Sequence, residues 1–170
     1  LALPEGERSG GPVAWNPTDG QGPWFRLNVP SVRLLVGHLG GRPMPVGDVT
    51  ISVAERPWPR NLPAYACISL AALDGRPVAE SQRLLLAASA RTENVNMLWN
   101  EDRTSLVGKS AWGGDHTLSE AVPLTLSLPG VPFRATALDA EGRPGKPVQV
   151  QGRDLRLRAE DQTLWVLIER

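Results

Sequence analysis

The sequence predicts an all-β protein, a two-sheet antiparallel sandwich of jelly-roll-like form with about ten to twelve short strands. Short runs in which apolar and polar residues alternate recur along the chain. The 170 residues include 17 glycines and 16 prolines, so few segments could continue as a long helix. The length suits one domain. We therefore expect a linker or leading segment at residues 1–11 and a single β-sandwich domain at residues 12–170.

The stretch from Ala64 to Trp99 is the predicted centre of the fold. Two apolar runs, at residues 66–73 and 84–90, flank a tight hairpin turn predicted at Asp74-Gly-Arg-Pro77. Neither face of these strands is charged, so we expect both to be covered, one by the facing sheet and the other by a loop, an edge segment or a neighbouring domain. A helix over residues 83–91 is an alternative, but the flanking turn and the Asn-rich segment favour a strand.

The remaining strands follow from alternation with a period of two. In one of them, Phe25, Leu27 and Val29 are predicted to face the core. Residues 55–63 contain three prolines and predict a rigid loop, and residues 99–117 are the longest polar stretch. Further strands are expected at residues 13–15, 32–36, 48–54, 94–98, 124–128, 133–137, 148–151, 155–158 and 163–168.

Composition excludes several classes of partner. The chain has 18 basic and 18 acidic residues and no local cluster of Lys and Arg, so neither nucleic acid nor a membrane is an expected partner. Cys67 is the only cysteine, which rules out an internal disulfide and predicts a buried structural thiol. No apolar run approaches the roughly 20 residues needed to span a membrane. The chain starts without Met or a signal peptide, which favours a processed product or an excised part of a longer protein.

One group of residues has the types needed for acid–base or nucleophilic catalysis. Asp115 and His116 lie near Glu120, and Ser110 or Ser119 could stand beside them. No nucleophile elbow or other catalytic signature frames these residues. We interpret them as a solvated loop and expect no catalytic residues and no enzymatic activity.

Metal binding has weak support in the sequence. His38 and His116 are far apart and Cys67 is the single thiol, so a zinc site is not expected. A structural calcium ion near Asp19 or Asp102 stays open, because sets of loop carboxylates and carbonyls need no sequence pattern. No other cofactor is expected.

Tryptophan is unusually frequent, with six Trp against two Phe and one Tyr. Indole offers a wide rigid face and an N–H donor, which suits stacking against the C–H face of a sugar ring. Trp58 lies between prolines and Trp112 precedes Gly-Gly, so we predict these two as stacking platforms, with Trp24 and Trp99 as further candidates. The alternative is that Trp58 and Trp112 fold back over the ends of the sandwich. Trp165 is expected in or near the core.

Several segments together resemble the C-terminal β-sandwich appendage of large bacterial multimodular glycoside hydrolases. They are Ala-Leu-Asp-Gly-Arg-Pro-Val-Ala-Glu-Ser at residues 72–81, Arg-Leu-Leu-Leu at 83–86, Arg-Thr-Glu-Asn-Val-Asn-Met-Leu-Trp at 91–99, Ala-Leu-Asp-Ala-Glu-Gly at 137–142 and Thr-Leu-Trp-Val-Leu-Ile at 163–168. The resemblance covers about residues 25–170. It implies a non-catalytic, carbohydrate-binding accessory domain of a secreted, extracellular enzyme that acts on plant-type polysaccharide.

Two functions follow as expectations. The first is binding of plant cell-wall β-glycan, cellulose or hemicellulose of the β-glucan or xylan type, which targets a tethered catalytic domain; the neutral net charge suits a neutral polymer. The second is a structural accessory domain that packs against the catalytic domain or mediates protein contact. The second function predicts an exposed apolar patch along the face of Ala71, Leu85 and Ala87.

Overall fold

The computed structural model describes residues 8–17, 20, 22–55, 64–130 and 133–170. These ranges hold sixteen β-strands and a 3-10 helix at Ala159–Asp161, and they confirm the all-β class. The strands are β1 Arg8–Gly10, β2 Val13–Asn16, β3 Trp24–Val29, β4 Val32–His38, β5 Pro43–Val46, β6 Val49–Val53, β7 Tyr65–Ala72, β8 Arg83–Ser89, β9 Thr92–Asn94, β10 Thr117–Ser119, β11 Leu124–Ser127, β12 Arg134–Leu138, β13 Pro144–Pro147, β14 Gln149–Gln151, β15 Asp154–Leu157 and β16 Trp165–Glu169.

Two antiparallel sheets form the sandwich. The large sheet has nine strands in the order β1-β2-β3-β4-β7-β8-β16-β12-β13, and the small sheet has five in the order β14-β15-β11-β6-β5. A separate ribbon of β9 and β10 lies in the connection between β8 and β11. The strands outnumber the prediction because four of them, β1, β9, β10 and β14, are only three residues long. So short a run shows no alternation.

The core lies between the two sheets and follows the predicted alternation on most strands. Val49, Ile51 and Val53 of β6 are buried, as are Leu124 and Leu126 of the neighbouring β11. The large sheet contributes the fully buried side chains Leu35, Ala66, Ile68, Leu70, Leu84, Leu86, Val166 and Ile168. Alternate residues of these strands are therefore removed from water by the facing sheet, which is the main stabilising contribution to a sandwich.

The predicted central pair is confirmed, but the tight hairpin is wrong. β7 and β8 are the fifth and sixth of nine strands and pair from Cys67 with Ser89 to Ala72 with Leu84. The connection spans residues 73–82. The Asp74 carboxylate closes it by accepting a hydrogen bond from the backbone N–H of Gln82 at 2.8 Å, and this bond lowers the pKa of Asp74.

Strand β3 faces opposite to the prediction. Phe25 is 38% exposed on the outer side of the large sheet, and Leu27 and Val29 point the same way. The inward positions carry Trp24 and Arg26 instead. The Arg26 guanidinium donates a hydrogen bond to the carbonyl of Pro45 in the small sheet at 3.2 Å, so this inward polar group is satisfied.

A second inward arginine joins the two sheets. Arg33 of β4 is 6% exposed, and its guanidinium lies 2.7 and 2.9 Å from one carboxylate oxygen of Asp48 in the β5–β6 turn. The same guanidinium donates to the backbone carbonyl of Val29. The charge is thus paired and hydrogen-bonded, as a buried guanidinium requires.

The predicted leading segment also contributes to the sheet. Residues 8–10, placed in the linker 1–11 from sequence, form β1 and pair with β2 from Arg8 with Trp15 to Gly10 with Val13. Gly11 and Pro12 make the turn between them. A Gly-Gly-Pro sequence suits a linker and a hairpin turn equally, and only the pairing distinguishes them.

Candidate functional site

The described tryptophans gather at one end of the large sheet, which we term the tryptophan end. Trp15 lies near the end of β2, Trp24 begins β3 and Trp165 begins β16. Because neighbouring strands are antiparallel, these ends coincide with the end of β8. Trp99 and Trp112 belong to the connection that leaves β8 at this point. Trp58, predicted as a stacking platform, lies outside the described residues.

Trp24 does not present a stacking face. Its side chain is 6% exposed and belongs to the core cluster. The Arg26 guanidinium lies 5.3 Å from the centroid of the indole ring. Trp24 was expected to be a candidate because it follows a turn-rich loop. That expectation is wrong, because the inverted orientation of β3 turns this position inward.

Trp99 is half-buried and organises the connection instead of offering a face. Its indole N–H donates to the Glu93 carboxylate at 2.8 Å, and Arg103 donates to the same oxygen at 2.6 Å. Arg91 lies 3.5 Å from that oxygen. Desolvation raises the pKa of Glu93, but the bonds from Arg103 and Trp99 and the charge of Arg91 outweigh it, so the pKa lies below its usual range.

Residues 92–119, which comprise β9, β10 and the loop between them, are called the arm below. Asn100 closes its far turn by accepting hydrogen bonds from the backbone N–H groups of Thr104 at 2.7 Å and Ser105 at 3.2 Å. Val107 then bonds back to Leu98 at 2.9 Å. Hydrogen bonds within the arm therefore hold this loop along its length.

Trp112 is the exposed indole of the arm, with 69% of its surface accessible. Both sides of it are anchored. Ala111 before it is fully buried and accepts a hydrogen bond from the Leu98 N–H at 2.9 Å. The carbonyl of Trp112 itself accepts from the Asn94 side chain at 3.1 Å. The predicted solvent-facing ring on a stiff loop is therefore present at this position.

Gly113 completes the anchoring on the other side. It has φ of 77°, and a Cβ built on it would collide with the carbonyl oxygen of Val95 and lie 2.8 Å from the N of Met97. The following N–H, of Gly114, donates to the Val95 carbonyl at 2.7 Å. Only glycine permits this approach, so the Gly-Gly pair fixes where Trp112 stands.

A second aromatic group forms an open pocket of about 380 Å³ at the tryptophan end, on the outer side of the large sheet. Trp15 and Phe25 are paired across β2 and β3, and each is 38% exposed. His38 and Tyr65 are paired across β4 and β7, with ring centroids 5.7 Å apart at 69°. We call this group the aromatic pocket. Sequence reasoning missed it because Phe25 was predicted to face the core.

The outer side of the large sheet is apolar well beyond this pocket. The strand registers align three rows of outward side chains: Val29, Val32, Ala71, Leu85 and Leu167; Val13, Leu27, Leu34, Ser69, Ala87 and Trp165; and Trp15, Phe25, Val36, Cys67 and Ser89. We call these rows the outer face. The predicted patch of Ala71, Leu85 and Ala87 lies in its centre, partly exposed. The expected second cover over β7 and β8 is therefore incomplete in the described structure.

The remaining chemical candidates do not assemble. Ser119 pairs with Thr92 at 3.2 Å, not with His116, whose carbonyl instead accepts from the Val95 N–H. Within the described ranges, no group of three or more His, Cys, Asp and Glu side chains is placed to hold a metal ion. Asp19, one of the two positions suggested for calcium, lies outside them. No helix in the same ranges has the length and hydropathy to cross a membrane.

No protein-family model, curated protein or solved structure matches this chain. The resemblance to the β-sandwich appendage of glycoside hydrolases therefore stays a prediction.

Proposed function

We propose that this chain is a non-catalytic carbohydrate-binding domain that holds an attached polysaccharide-degrading enzyme on plant cell-wall β-glycan. Trp112 is its stacking platform. The observation that supports this is the 69% exposure of an indole whose backbone is anchored on both sides. A ring fixed before binding loses little conformational entropy when a sugar stacks on it.

The surroundings of Trp112 suit a neutral sugar. Asn96, Ser110 and Asp115 are exposed on the same arm and offer amide, hydroxyl and carboxylate groups for sugar hydroxyls. The chain carries no net charge, so it has no overall field to favour an anionic polymer. Tethering would then raise the local concentration of the enzyme on its polymer without any new catalytic contact.

Affinity electrophoresis and pull-down on cellulose, xylan and mixed-linkage β-glucan test this proposal. We expect the wild-type chain to be retained by at least one polymer and Trp112→Ala to lose retention. Leu118→Ala is the matched control, because Leu118 is 54% exposed on the same arm. Trp58→Ala tests the second predicted platform. Equal retention of the wild type and Trp112→Ala, or no retention on any polymer, would contradict the proposal.

The outer face supports a second candidate, a structural domain that docks on a catalytic domain. Across β3, β4, β7, β8 and β16, the three rows cover roughly 24 by 20 Å, or about 480 Å², from standard strand and residue spacings. Their only charged neighbours on that side of these strands are Arg83 and Glu169, at the edge away from the tryptophan end. An apolar patch of this size matches the largest patch on a typical monomer, and such patches are often functional.

Cys67 provides a test of this second candidate, because it lies in the middle of the outer face and is the only cysteine. Burial raises the pKa of its thiol, so alkylation should be followed near pH 9. Docking predicts that a catalytic domain slows alkylation, and that Ala87→Glu, but not the exposed control Ala79→Glu, abolishes the protection. Unchanged alkylation in the presence of the catalytic domain would count against docking.

A further inference from the structure

We infer that the aromatic pocket is a second sugar site, which takes one face of a neutral pyranose whose ring hydroxyls are all equatorial, as in glucose or xylose. The inference rests on the proposed carbohydrate-binding function but concerns residues outside the Trp112 arm. Its chemistry follows from four properties of the pocket: the ring surfaces, the fixed backbone, the lack of acidic and basic side chains among its described lining residues, and the position in the fold.

The ring surfaces form a continuous apolar platform. Trp15 and Phe25 stand opposite each other on adjacent strands, and both point outward with 38% of their surface accessible. Side chains paired in this way lie about 5 Å apart at their Cβ atoms. Val36 continues the row on β4. The pocket thus presents two adjacent aromatic rings and an aliphatic neighbour to solvent, which is a suitable surface for the C–H face of a sugar ring.

The backbone around the pocket is fixed. Gly37 has φ of 141°, and a Cβ there would lie 2.6 Å from the Cα of Trp24, so only glycine lets β3 and β4 approach so closely. The N–H of His38 bonds to the Pro23 carbonyl at 3.0 Å. The His38 ring packs edge-on against Tyr65. The backbone that carries Phe25 and His38 is therefore set before a ligand arrives, which lowers the entropy cost of binding.

Among the described residues that line the pocket, none is acidic and none is a lysine or an arginine. A uronate or a sulfated sugar would lose water against these residues without gaining a charge partner from them. The polar side chains among these described residues are chiefly Tyr65 and His38, so most hydroxyls of a sugar stacked on them stay in water. Equatorial hydroxyls project sideways from a stacked ring and remain hydrated. An axial hydroxyl, as in mannose or galactose, lies on one face of the ring, and that face would press the hydroxyl against the apolar floor and cost its hydrogen bonds. Such a sugar can stack only through its other face, whereas a ring with equatorial hydroxyls can stack through either.

The position links this pocket to Trp112, since both belong to the tryptophan end. The arm leaves β8 at the end of the large sheet where the pocket lies, so we expect one polymer chain to reach both. Two weak contacts on one chain then add through effective concentration.

Nuclear magnetic resonance of the six ¹⁵N-labelled indole N–H groups tests the inference, with each signal assigned by a Trp→Phe substitution. The probes are the tetramers of β-1,4-linked glucose, xylose and mannose. We expect the Trp15 signal to shift with the first two tetramers and to need a higher concentration of the mannose tetramer for the same shift. A shift of Trp112 alone would overturn the pocket and leave the proposed function standing. No shift of any indole with any tetramer would overturn both.

Variants of the neighbouring ring sharpen the test. Phe25→Ala should raise the dissociation constant measured from the Trp15 signal by about fivefold, which is the usual contribution of one aromatic contact. The Trp112 response should stay unchanged. Leu27→Ala is the matched control on the same strand and face, outside the pocket. If the signals of Phe25→Ala lose their dispersion, which indicates unfolding, Phe25→Leu replaces it in the same titration. An unchanged Trp15 titration in the folded variant, or a Trp15 response only to a proline-rich peptide, would overturn the inference.

Discussion

Replacing Gly113 with alanine should loosen the arm and displace Trp112 while leaving the sandwich intact. Gly113 has φ of 77°, and an added Cβ would collide with the Val95 carbonyl and lie 2.8 Å from the Met97 nitrogen. A left-handed conformation costs a non-glycine residue about 1–2 kcal/mol, and relief of the collision adds to that. We therefore expect a local penalty of about 2–3 kcal/mol, in the range of strained backbone positions.

The penalty should appear as local opening, because none of the arm residues belongs to the core cluster between the sheets. At 1.4 kcal/mol for each factor of ten, it raises the open population of the arm by about 30- to 150-fold. Hydrogen exchange at the Gly114 N–H, which bonds to the Val95 carbonyl at 2.7 Å, is the direct readout. Exchange in the central strands β7 and β8 should stay at the wild-type rate.

Gly114→Ala is the matched control, because it places the same methyl group one residue later. Its Cβ would lie 3.7 Å from the Val95 oxygen, an ordinary contact, and Gly114 has no left-handed φ. We expect wild-type exchange and wild-type glycan retention for Gly114→Ala, and faster exchange with loss of glycan retention for Gly113→Ala. Similar behaviour of the two variants would refute the view that the Gly113 approach fixes Trp112.

Three further outcomes follow from other contacts. Asp48→Asn leaves the guanidinium of Arg33 buried without its charge partner, so urea denaturation should show a loss of about 2–3 kcal/mol in the free energy of unfolding, somewhat under the full burial value because Asp48 is partly exposed. The lowered pKa of Glu93 means that its carboxylate stabilises the arm above the usual Glu pKa of about 4.3 and that this contribution is lost as the pH falls below it. The Trp99 indole signal should therefore move in acid, and Glu93→Gln should abolish that movement. Gly37→Ala should lower the free energy of unfolding by about 2–4 kcal/mol in thermal denaturation, because its Cβ collides with β3.

Strands with one apolar face were predictable because burial of one side imposes a period of two. Val49, Ile51 and Val53 are buried as expected, and Ala135 and Ala137 of β12 are too. Each of these strands alternates apolar residues with small or polar ones, and each faces the opposite sheet. The sequence period alone then determines both the strand and its orientation.

Strand β3 was assigned to the wrong face because the acceptor of its inward arginine lies on the opposite sheet. Alternation of Phe25, Leu27 and Val29 with polar residues predicts an apolar inner face. The inward Arg26 instead reaches the carbonyl of Pro45, and the outward apolar residues join neighbours on β4. No local pattern encodes an acceptor on the opposite sheet, so the error could be removed only with the topology in hand.

The candidate site residues show the same difference between features set by local sequence and features set by contacts between distant strands. The exposure of Trp112 was predictable from local sequence, since Trp112 precedes a glycine pair in a polar loop where a large ring is hard to bury. Trp24 failed because its burial depends on the orientation of β3. The aromatic pocket depends on β4 lying beside β7, which brings His38 to Tyr65 across a connection of 26 residues that includes β5 and β6. No pattern within a single segment of sequence predicts that two strands so far apart in the chain lie side by side.

The aromatic pocket and the outer face are continuous, and this continuity connects the two candidate functions. Trp15 and Phe25 form the end of the row that runs through Val36 to Cys67. A catalytic domain that docks on the outer face far enough to protect Cys67 would therefore crowd the pocket, whereas Trp112 stands on the separate arm. Docking and pocket binding should compete, and docking and binding at Trp112 should not. Retention of the Trp15 response to a glucose tetramer while Cys67 is fully protected would show that the two surfaces act independently.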